Sequence, residues 1–537
     1  MTIPERMKTF LPWAGAALTG LLLAASFPPL EWGWAAWVAL VPLLLGLNGV
    51  RVSKAWKLGL AAGVFFWIPS ISWLIHVTFW GWIGLALVCS LYLIPFAVVA
   101  AWWTRRYGAG EGWRNLLLML ALAGTWAGFE YIRSVFATGF PWNPLGASQY
   151  RSLPVIQAAR WGGVTAVSAL VALVNAAAAL TILRHVKRPR PAGRGPHLEM
   201  AVALFAVILA VSDGYAVLRR PAPPSQTLRV ALVQPNVPQA CYYMPEEFDG
   251  ILAGLRNLSE AALRGRPDLL IWPETAPPDE IRTDGATFDL VYALVTNGAP
   301  LLAGTMDTAW GDTGPTYFNS SALVDAGGRI AQVYDKRHLV PFGEYVPLRH
   351  IFPFLKVVTP ITDSFTPGST STVFKLAAAK PPAEPGLEKP QVTLSVLICF
   401  EDTVAALARE SVRNGARMLV NQTNDAWFDP SGASRQHMIQ CVFRCVENGV
   451  PAVRCANTGV SCAIDRWGRV YDVLDDGAGQ VRVSGFRLSA VEVPDAGLPP
   501  TFYTRHGDLF AQACAAAGIA LFFLVLGTSR RATLPAP

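Results

Sequence analysis

The residues best suited to chemistry stand at the ends of apolar segments. Leu269-Leu270-Ile271-Trp272-Pro273 runs into Glu274, Tyr334-Asp335 into Lys336, and Leu394-Ser395-Val396-Leu397-Ile398 into Cys399. A carboxylate, an ammonium and a thiol brought together in this way make a workable nucleophilic site. The carboxylate takes the thiol proton as sulfur attacks, and the ammonium steadies the oxyanion that forms when an acyl carbon becomes tetrahedral. Because a nearby cation lowers a thiol's pKa, Lys336 is expected to poise Cys399 as thiolate. Taken singly, each residue has a plainer reading. A strand-end cysteine is usually only buried, a glutamate after Trp-Pro is usually a turn residue or helix cap, and a lysine beside Asp335 is usually half of a surface pair. The chemistry rests on all three occurring in order within one domain.

Some scaffold must bring these strand ends together. Between residues 219 and 507, β-rich runs at Leu228–Val233, Leu269–Trp272, Thr393–Ile398 and Arg417–Asn421 alternate with helical stretches at Glu246–Leu263 and Val404–Asn414. Buried strands interleaved with helices predict an α/β sandwich. Lys380–Pro390 offers no periodic apolar face and reads as a surface loop or insertion.

Outside this region the chain is dominated by apolar runs near residues 10–27, 33–49, 58–78, 80–103, 115–132, 160–183, 198–218 and 508–527. Each approaches the roughly 20 residues that span a bilayer. The second run follows the first so closely that the first reads as an anchor, not a cleaved signal peptide. Basic residues gather beside alternate ends: Arg6 and Lys8; Arg51, Lys54 and Lys57; Arg105, Arg106 and Arg114; Arg184, Lys187, Arg188, Arg190 and Arg194; Arg530 and Arg531. Segments 28–32 and 79–81 carry none. The positive-inside bias then puts both termini in the cytoplasm and, after seven spans, residues 219–507 on the outer side. The expected organisation is 1–218 with seven spans, 219–507 as the catalytic domain, and 508–537 as a last span and short tail.

Composition agrees with a membrane protein. The chain is 52% hydrophobic with 19 Trp, and only 15% of its residues are charged, against about 25% in soluble domains. Mean hydropathy is +0.35. The net charge of +7 arises from basic clusters beside apolar runs, as topology requires, which argues against a nucleic-acid partner. The eight cysteines include no CxxC pair, and the seven histidines form no HxH or HxxxH pair, so no metal site and no redox cofactor is expected. Cys441 and Cys445, four residues apart, read as small buried hydrophobes on one helix face.

The ordered Glu–Lys–Cys set resembles the nitrilase, or carbon–nitrogen hydrolase, superfamily. With the spans included, the chain resembles the membrane-embedded branch of that superfamily, the apolipoprotein N-acyltransferases. The closer likeness is carried by Ser26-Phe27-Pro28-Pro29, Gly139-Phe140-Pro141-Trp142, Val340-Pro341-Phe342-Gly343-Glu344-Tyr345-Val346-Pro347, Asn424-Asp425-Ala426-Trp427-Phe428 and Thr504-Arg505-His506-Gly507-Asp508. The resemblance implies a multi-span α-helical membrane bundle plus an α/β nitrilase-like α-β-β-α sandwich domain. It implies Glu274 as general base, Lys336 as the oxyanion-stabilising lysine, Cys399 as nucleophile, and Glu344 and Glu401 as supporting acids. It further implies a bacterial inner-membrane enzyme with its catalytic domain on the periplasmic side. Such an enzyme takes a fatty acyl group from a phospholipid through a Cys399 thioester to the N-terminal amine of a diacylglyceryl-modified apolipoprotein, with no cofactor.

Trp427, Phe428 and Tyr243 are expected to contact substrate, and Ala426-Trp427-Phe428 and Ile351-Phe352-Pro353-Phe354-Leu355 to line an acyl groove or dip into the interface. Packing in the core is the plainer reading. Four residues depart from the family pattern. Phe400 stands where a Tyr often follows the nucleophile, Asp429 where a Gly commonly follows Trp-Phe, and Tyr242 and Tyr243 where a Trp is frequent. Two other functions fit parts of the pattern. A membrane-tethered amidase would use water as second nucleophile but does not need the helical bundle. A transporter is disfavoured because spans three and four hold only His76, near an end, and Glu130 ends span five.

Overall fold

The computed structural model describes residues 5–107, 112–187, 197–282, 285–312, 314–346, 364–377, 391–428 and 431–531. Arg188, Arg190, Arg194, the string Ile351–Leu355, the loop Lys380–Pro390 and Asp429 lie outside the described residues. The chain divides into two compact units, one of residues 1–220, 430–436 and 506–537, the other of residues 221–429 and 437–505.

In the first unit, five described helices are long and apolar enough to cross a membrane: Phe79–Tyr107, Trp113–Val135, Ala159–His185, Leu198–Leu218 and Leu509–Ser529. Glu5–Ala25 and Val52–Ser70 are also helical. Small residues let these helices approach closely. At Gly128 a Cβ would lie 2.5 Å from the carbonyl oxygen of Cys514, so Trp113–Val135 and Leu509–Arg531 meet backbone to backbone. The apolar run at 33–49 is not one helix. It forms a 3-10 turn at Gly33–Trp37 and a short helix at Val41–Gly46 with Pro42 in its first turn. Such a break frees backbone groups that need partners away from water. The Leu40 N–H donates to Asn175 Oδ1 at 2.8 Å, and Asn175 Nδ2 donates to the Ala36 carbonyl at 2.9 Å. Gln149 Nε2 donates to the Gly33 carbonyl at 2.7 Å.

Gln436 explains why residues 430–436 belong to this unit. Its Oε1 accepts from Trp142 Nε1 at 2.7 Å and Trp73 Nε1 at 3.2 Å, while its Nε2 donates to the carbonyls of Pro28 at 2.8 Å and Ser70 at 3.1 Å. Two of the strings that carried the resemblance, Ser26–Pro29 and Gly139–Trp142, therefore meet on one buried amide.

The second unit has twelve described strands. They are β1 Ser225–Gln234, β2 Leu269–Ile271, β3 Leu301–Gly311, β4 Gly314–Val324, β5 Ile330–Asp335, β6 Phe374–Ala377, β7 Gln391–Ile398, β8 Met418–Thr423, β9 Ala452–Ala456, β10 Cys462–Ile464, β11 Val470–Tyr471 and β12 Gly485–Pro494. They form two six-stranded sheets, ordered β12-β1-β2-β3-β4-β5 and β11-β10-β9-β8-β7-β6. The period-two alternation of a strand sets which side chain faces which layer. Leu228, Val230 and Leu232 join Leu394, Val396, Ile398, Met418 and Val420 in the core between the sheets. Ala231, Val233, Leu270 and Trp272 turn the other way, onto helices Phe248–Leu263 and Ala286–Thr296. On the second sheet, Ser395 meets Ser411 of helix Ala405–Arg413, and Arg454 meets His437 of helix Ala433–Asn448. The result is the expected helix–sheet–sheet–helix order. Polar stitches cross the core too: Gln422 Nε2 donates to the carbonyls of Trp272 at 2.7 Å and Leu302 at 3.1 Å.

Candidate active site

Parallel strands deliver side chains from their C-terminal ends, where α/β proteins place ligands. β1, β2 and β3 run parallel to one another in the first sheet, as do β7, β8 and β9 in the second. Glu274 lies three residues beyond β2, Cys399 directly follows β7, and Lys336 directly follows β5.

Lys336 is the electrostatic centre. Its side chain is 1% exposed, which excludes the surface-pair reading. Nζ lies 2.7 Å from Glu344 Oε1 and 3.3 Å from Glu274 Oε1. Burial opposes its charge, but Glu344, Glu274 and Cys399 outweigh burial and hold its pKa well above the ordinary lysine range. Asn319, across from it on β4, donates from Nδ2 to Glu274 Oε1 at 2.8 Å and to Glu344 Oε1 at 3.1 Å. The other oxygen of Glu274 accepts the Asn424 N–H at 2.9 Å. Glu274 is thus a turn residue and a buried, aimed carboxylate at once. Gly304 on β3 makes room for it, since a Cβ there would sit 2.1 Å from the Pro273 carbonyl oxygen.

The string Val340–Glu344 folds back on itself, with the N–H groups of Gly343 and Glu344 donating to the Val340 carbonyl. This delivers Glu344 to Lys336, while Glu344 Oε2 accepts the Val340 N–H at 2.8 Å. Loop fixing and support of the lysine are one arrangement. Glu401 acts as a clamp. It accepts the Tyr334 hydroxyl at 2.9 Å, the N–H groups of Arg337 at 2.8 Å and His338 at 3.0 Å, and the Ile398 N–H at 2.8 Å. The backbone just after Lys336 is thereby tied to the backbone just before Cys399.

The thiolate expectation needs correction. The Cys399 thiol is pushed well above its ordinary pKa, first by burial and then by the Glu274 carboxylate, and together these outweigh Lys336. The sequence reading counted the cation but not the two carboxylates that already neutralise it. Cys399 therefore rests as a protonated thiol beside a carboxylate, an arrangement suited to proton removal.

The three residues expected to touch substrate are separate from this cluster. Trp427 and Phe428 lie in the turn Asp425–Phe428, with Trp427 40% exposed. Tyr243 is 68% exposed in the turn Gln239–Tyr243, whereas Tyr242 packs inward. Asn424 Nδ2 donates to Gln239 Oε1 at 2.9 Å, joining these two turns to each other and to the backbone that holds Glu274. Sequence reasoning missed Asn319 and the role of Asn424. The first has no local signal, because only the β4–β5 register sets it beside Lys336. The second stood within a quoted string without an assigned task. All eight cysteines are free, and Cys441 and Cys445 are buried on one helix as expected.

Among solved structures, the chain is similar to an amidase from Nesterenkonia sp., with 18% identity, a TM-score of 0.34, and coverage of 51% of this chain and 92% of that one. It is also similar to a carbon–nitrogen hydrolase from Helicobacter pylori, with 15% identity, a TM-score of 0.35, and coverage of 50% and 90%. Residues 229–492 match the carbon–nitrogen hydrolase family model, and residues 19–177 match that of the apolipoprotein N-acyltransferase N-terminal domain. The apolipoprotein N-acyltransferase of Geobacter metallireducens is 37% identical over 93% of this chain and 92% of its own length. That of Chlorobaculum tepidum is 32% identical over 94% of each. A buried Glu–Lys–Cys site on a two-sheet sandwich, a unit of long apolar helices, and relatives matched over nearly their whole length lead to one conclusion: the chain belongs to the apolipoprotein N-acyltransferase family.

Proposed function

We propose that this chain is a bacterial inner-membrane enzyme that moves a fatty acyl group from a phospholipid, through a thioester on Cys399, to the α-amine of a diacylglyceryl-cysteine at a lipoprotein N-terminus. The observation that carries the reading is the convergence of Glu274, Lys336 and Cys399 in one buried cluster. In the first half-reaction Glu274 takes the Cys399 proton as sulfur attacks the ester carbonyl. The oxyanion forms beside Lys336, whose charge is secured by Glu344. Collapse of the tetrahedral adduct expels the lysophospholipid oxygen, which receives the proton from Glu274. In the second half-reaction the amine attacks the thioester and loses a proton to Glu274, which returns it to the departing sulfur. The product is an amide, and the thiol is restored. Trp427, Phe428 and Tyr243 are proposed to contact the acyl chains, since exposed aromatic rings suit an apolar ligand.

The acceptor is tested by supplying purified protein with phospholipid and a diacylglyceryl-cysteine peptide. An N-acylated peptide is expected. Fatty acid released at one rate with or without peptide would instead make the chain a hydrolase.

Orientation follows from the basic clusters. On this reading seven crossings precede residue 219, so the catalytic unit belongs on the periplasmic side and both termini in the cytoplasm. Four long apolar helices precede that residue, and the reading assigns the other crossings to the helices Glu5–Ala25 and Val52–Ser70 and the segment 33–46. A topology reporter inserted at the exposed Gly477 is expected to read as periplasmic, and one fused to the C-terminus as cytoplasmic. The reverse pattern would remove the outer-leaflet donor from the mechanism.

A further inference from the structure

Behind the turn that carries Cys399 lies a closed set of four charged side chains that the acyl-transfer steps do not use. Asp402 follows β7, Asp425 follows β8, Arg454 lies in β9, and His437 lies in helix Ala433–Asn448. None is more than 1% exposed. Arg454 Nη1 lies 3.1 Å from Asp402 Oδ2, and its Nη2 lies 2.8 Å from Asp425 Oδ2. His437 Nε2 lies 2.9 Å from Asp402 Oδ1, and its Nδ1 lies 2.9 Å from Asp425 Oδ1. Each carboxylate therefore spans both bases.

Charge balance favours a protonated ring. Two carboxylates and one guanidinium leave one negative charge, and an uncompensated charge is costly in a buried site. An imidazolium removes it. Burial and Arg454 oppose that charge, the latter with Nη2 only 2.9 Å from Nδ1, but Asp402 and Asp425 outweigh both and raise the His437 pKa to about 9.

The cation also has a target. His437 Nε2 is 3.2 Å from the carbonyl oxygen of Cys399. A second donor reaches the same oxygen, Asn421 Nδ2 at 3.0 Å, and Asn421 Oδ1 accepts from Arg454 Nη1 at 2.5 Å. Cys399 sits at φ +52°, a conformation that is strained for a non-glycine residue and must be held by its surroundings. Fixing the carbonyl fixes the whole planar peptide that follows the nucleophile.

We propose that His437, held as an imidazolium between Asp402 and Asp425, is a positioning residue whose Nε2–H pins the Cys399 carbonyl and keeps the strained turn aimed for attack. The proposal rests on Cys399 being the nucleophile. Its test is the rate of acyl-adduct formation on Cys399 in the full chain, followed by mass spectrometry with phospholipid alone across a pH series. Leaving out the amine acceptor keeps its own titration out of the profile. The wild-type rate is expected to fall as pH rises through about 9, where the ring loses the charge that strengthens its Nε2–H bond to the carbonyl. His437→Gln keeps an amide donor without a titrating group. Its rate is expected to be about tenfold lower or more, with that alkaline limb gone and the KM for phospholipid unchanged. Asp425→Asn removes one of the two charges that sustain the cation, so the limb is expected at lower pH. An unaltered limb in both variants, or a loss of rate that only tracks thermal unfolding, would overturn the proposal. An adduct formed by Cys399→Ala would instead overturn the identity of the nucleophile.

Discussion

Replacing Cys399 with Ala is expected to abolish the acyl-enzyme and lower product formation by at least about a thousandfold, since the thiol proposed to carry the acyl group is gone. Such a loss corresponds to about 4 kcal/mol in the barrier. The protein should stay folded. The substitution removes one sulfur from a turn that Asn421, His437 and Glu401 hold through backbone groups, all of which Ala retains. Cys399→Gly should be no less stable than Cys399→Ala, because glycine relieves the strain of φ +52°. If so, the native residue occupies this turn for chemistry and not for stability. Mass spectrometry after exposure to phospholipid, paired with thermal unfolding, checks both halves. An acyl adduct on the Ala variant would sink the mechanism. The other thiols of this unit provide the control. Cys455 and Cys462 are buried with their pKa pushed up by desolvation, the latter to about 12, so Ala at either should leave adduct formation intact.

Much of this site was legible because its residues interrupt strong patterns. Glu274 and Cys399 each end an apolar strand, and a charge or thiol at such a point has either a structural partner or a task. The interleaving of β-rich runs with helical stretches likewise announced an α/β sandwich, and the family resemblance supplied the layer order. What escaped the sequence reading depends on register and on counting every charge. Asn319 reaches Glu274 and Glu344 only because β4 pairs with β5 as it does. The pKa of Cys399 depends on two carboxylates from distant segments as well as on Lys336. Arg454 carried a signal that went unread, because a guanidinium inside the apolar strand Ala452–Ala456 must find buried anions. The segment 33–46 shows the limit of hydropathy. Apolarity alone reads it as one span, but the chain turns within it, and that turn is tolerated because Asn175, far along the chain, satisfies its backbone.

Lys336→Met should damage stability and chemistry together, and the two effects can be separated. Lys336 Nζ is the cation between Glu274 and Glu344. Removing it leaves two carboxylates facing each other in a buried site, and breaking a buried ion pair from one side costs about 3–5 kcal/mol. Adding Glu344→Gln to Lys336→Met removes one of the two charges directly, and much of the lost stability should return. Activity should not return with it. The oxyanion would still lack its cation, and loss of one such electrostatic donor lowers kcat by about a hundredfold to a thousandfold. Thermal unfolding of the purified single and double variants, beside the rate of adduct formation on Cys399, makes the comparison. A double variant that regains both stability and rate would mean that Lys336 only neutralises its neighbours. One that regains stability alone places its charge at the reacting carbonyl.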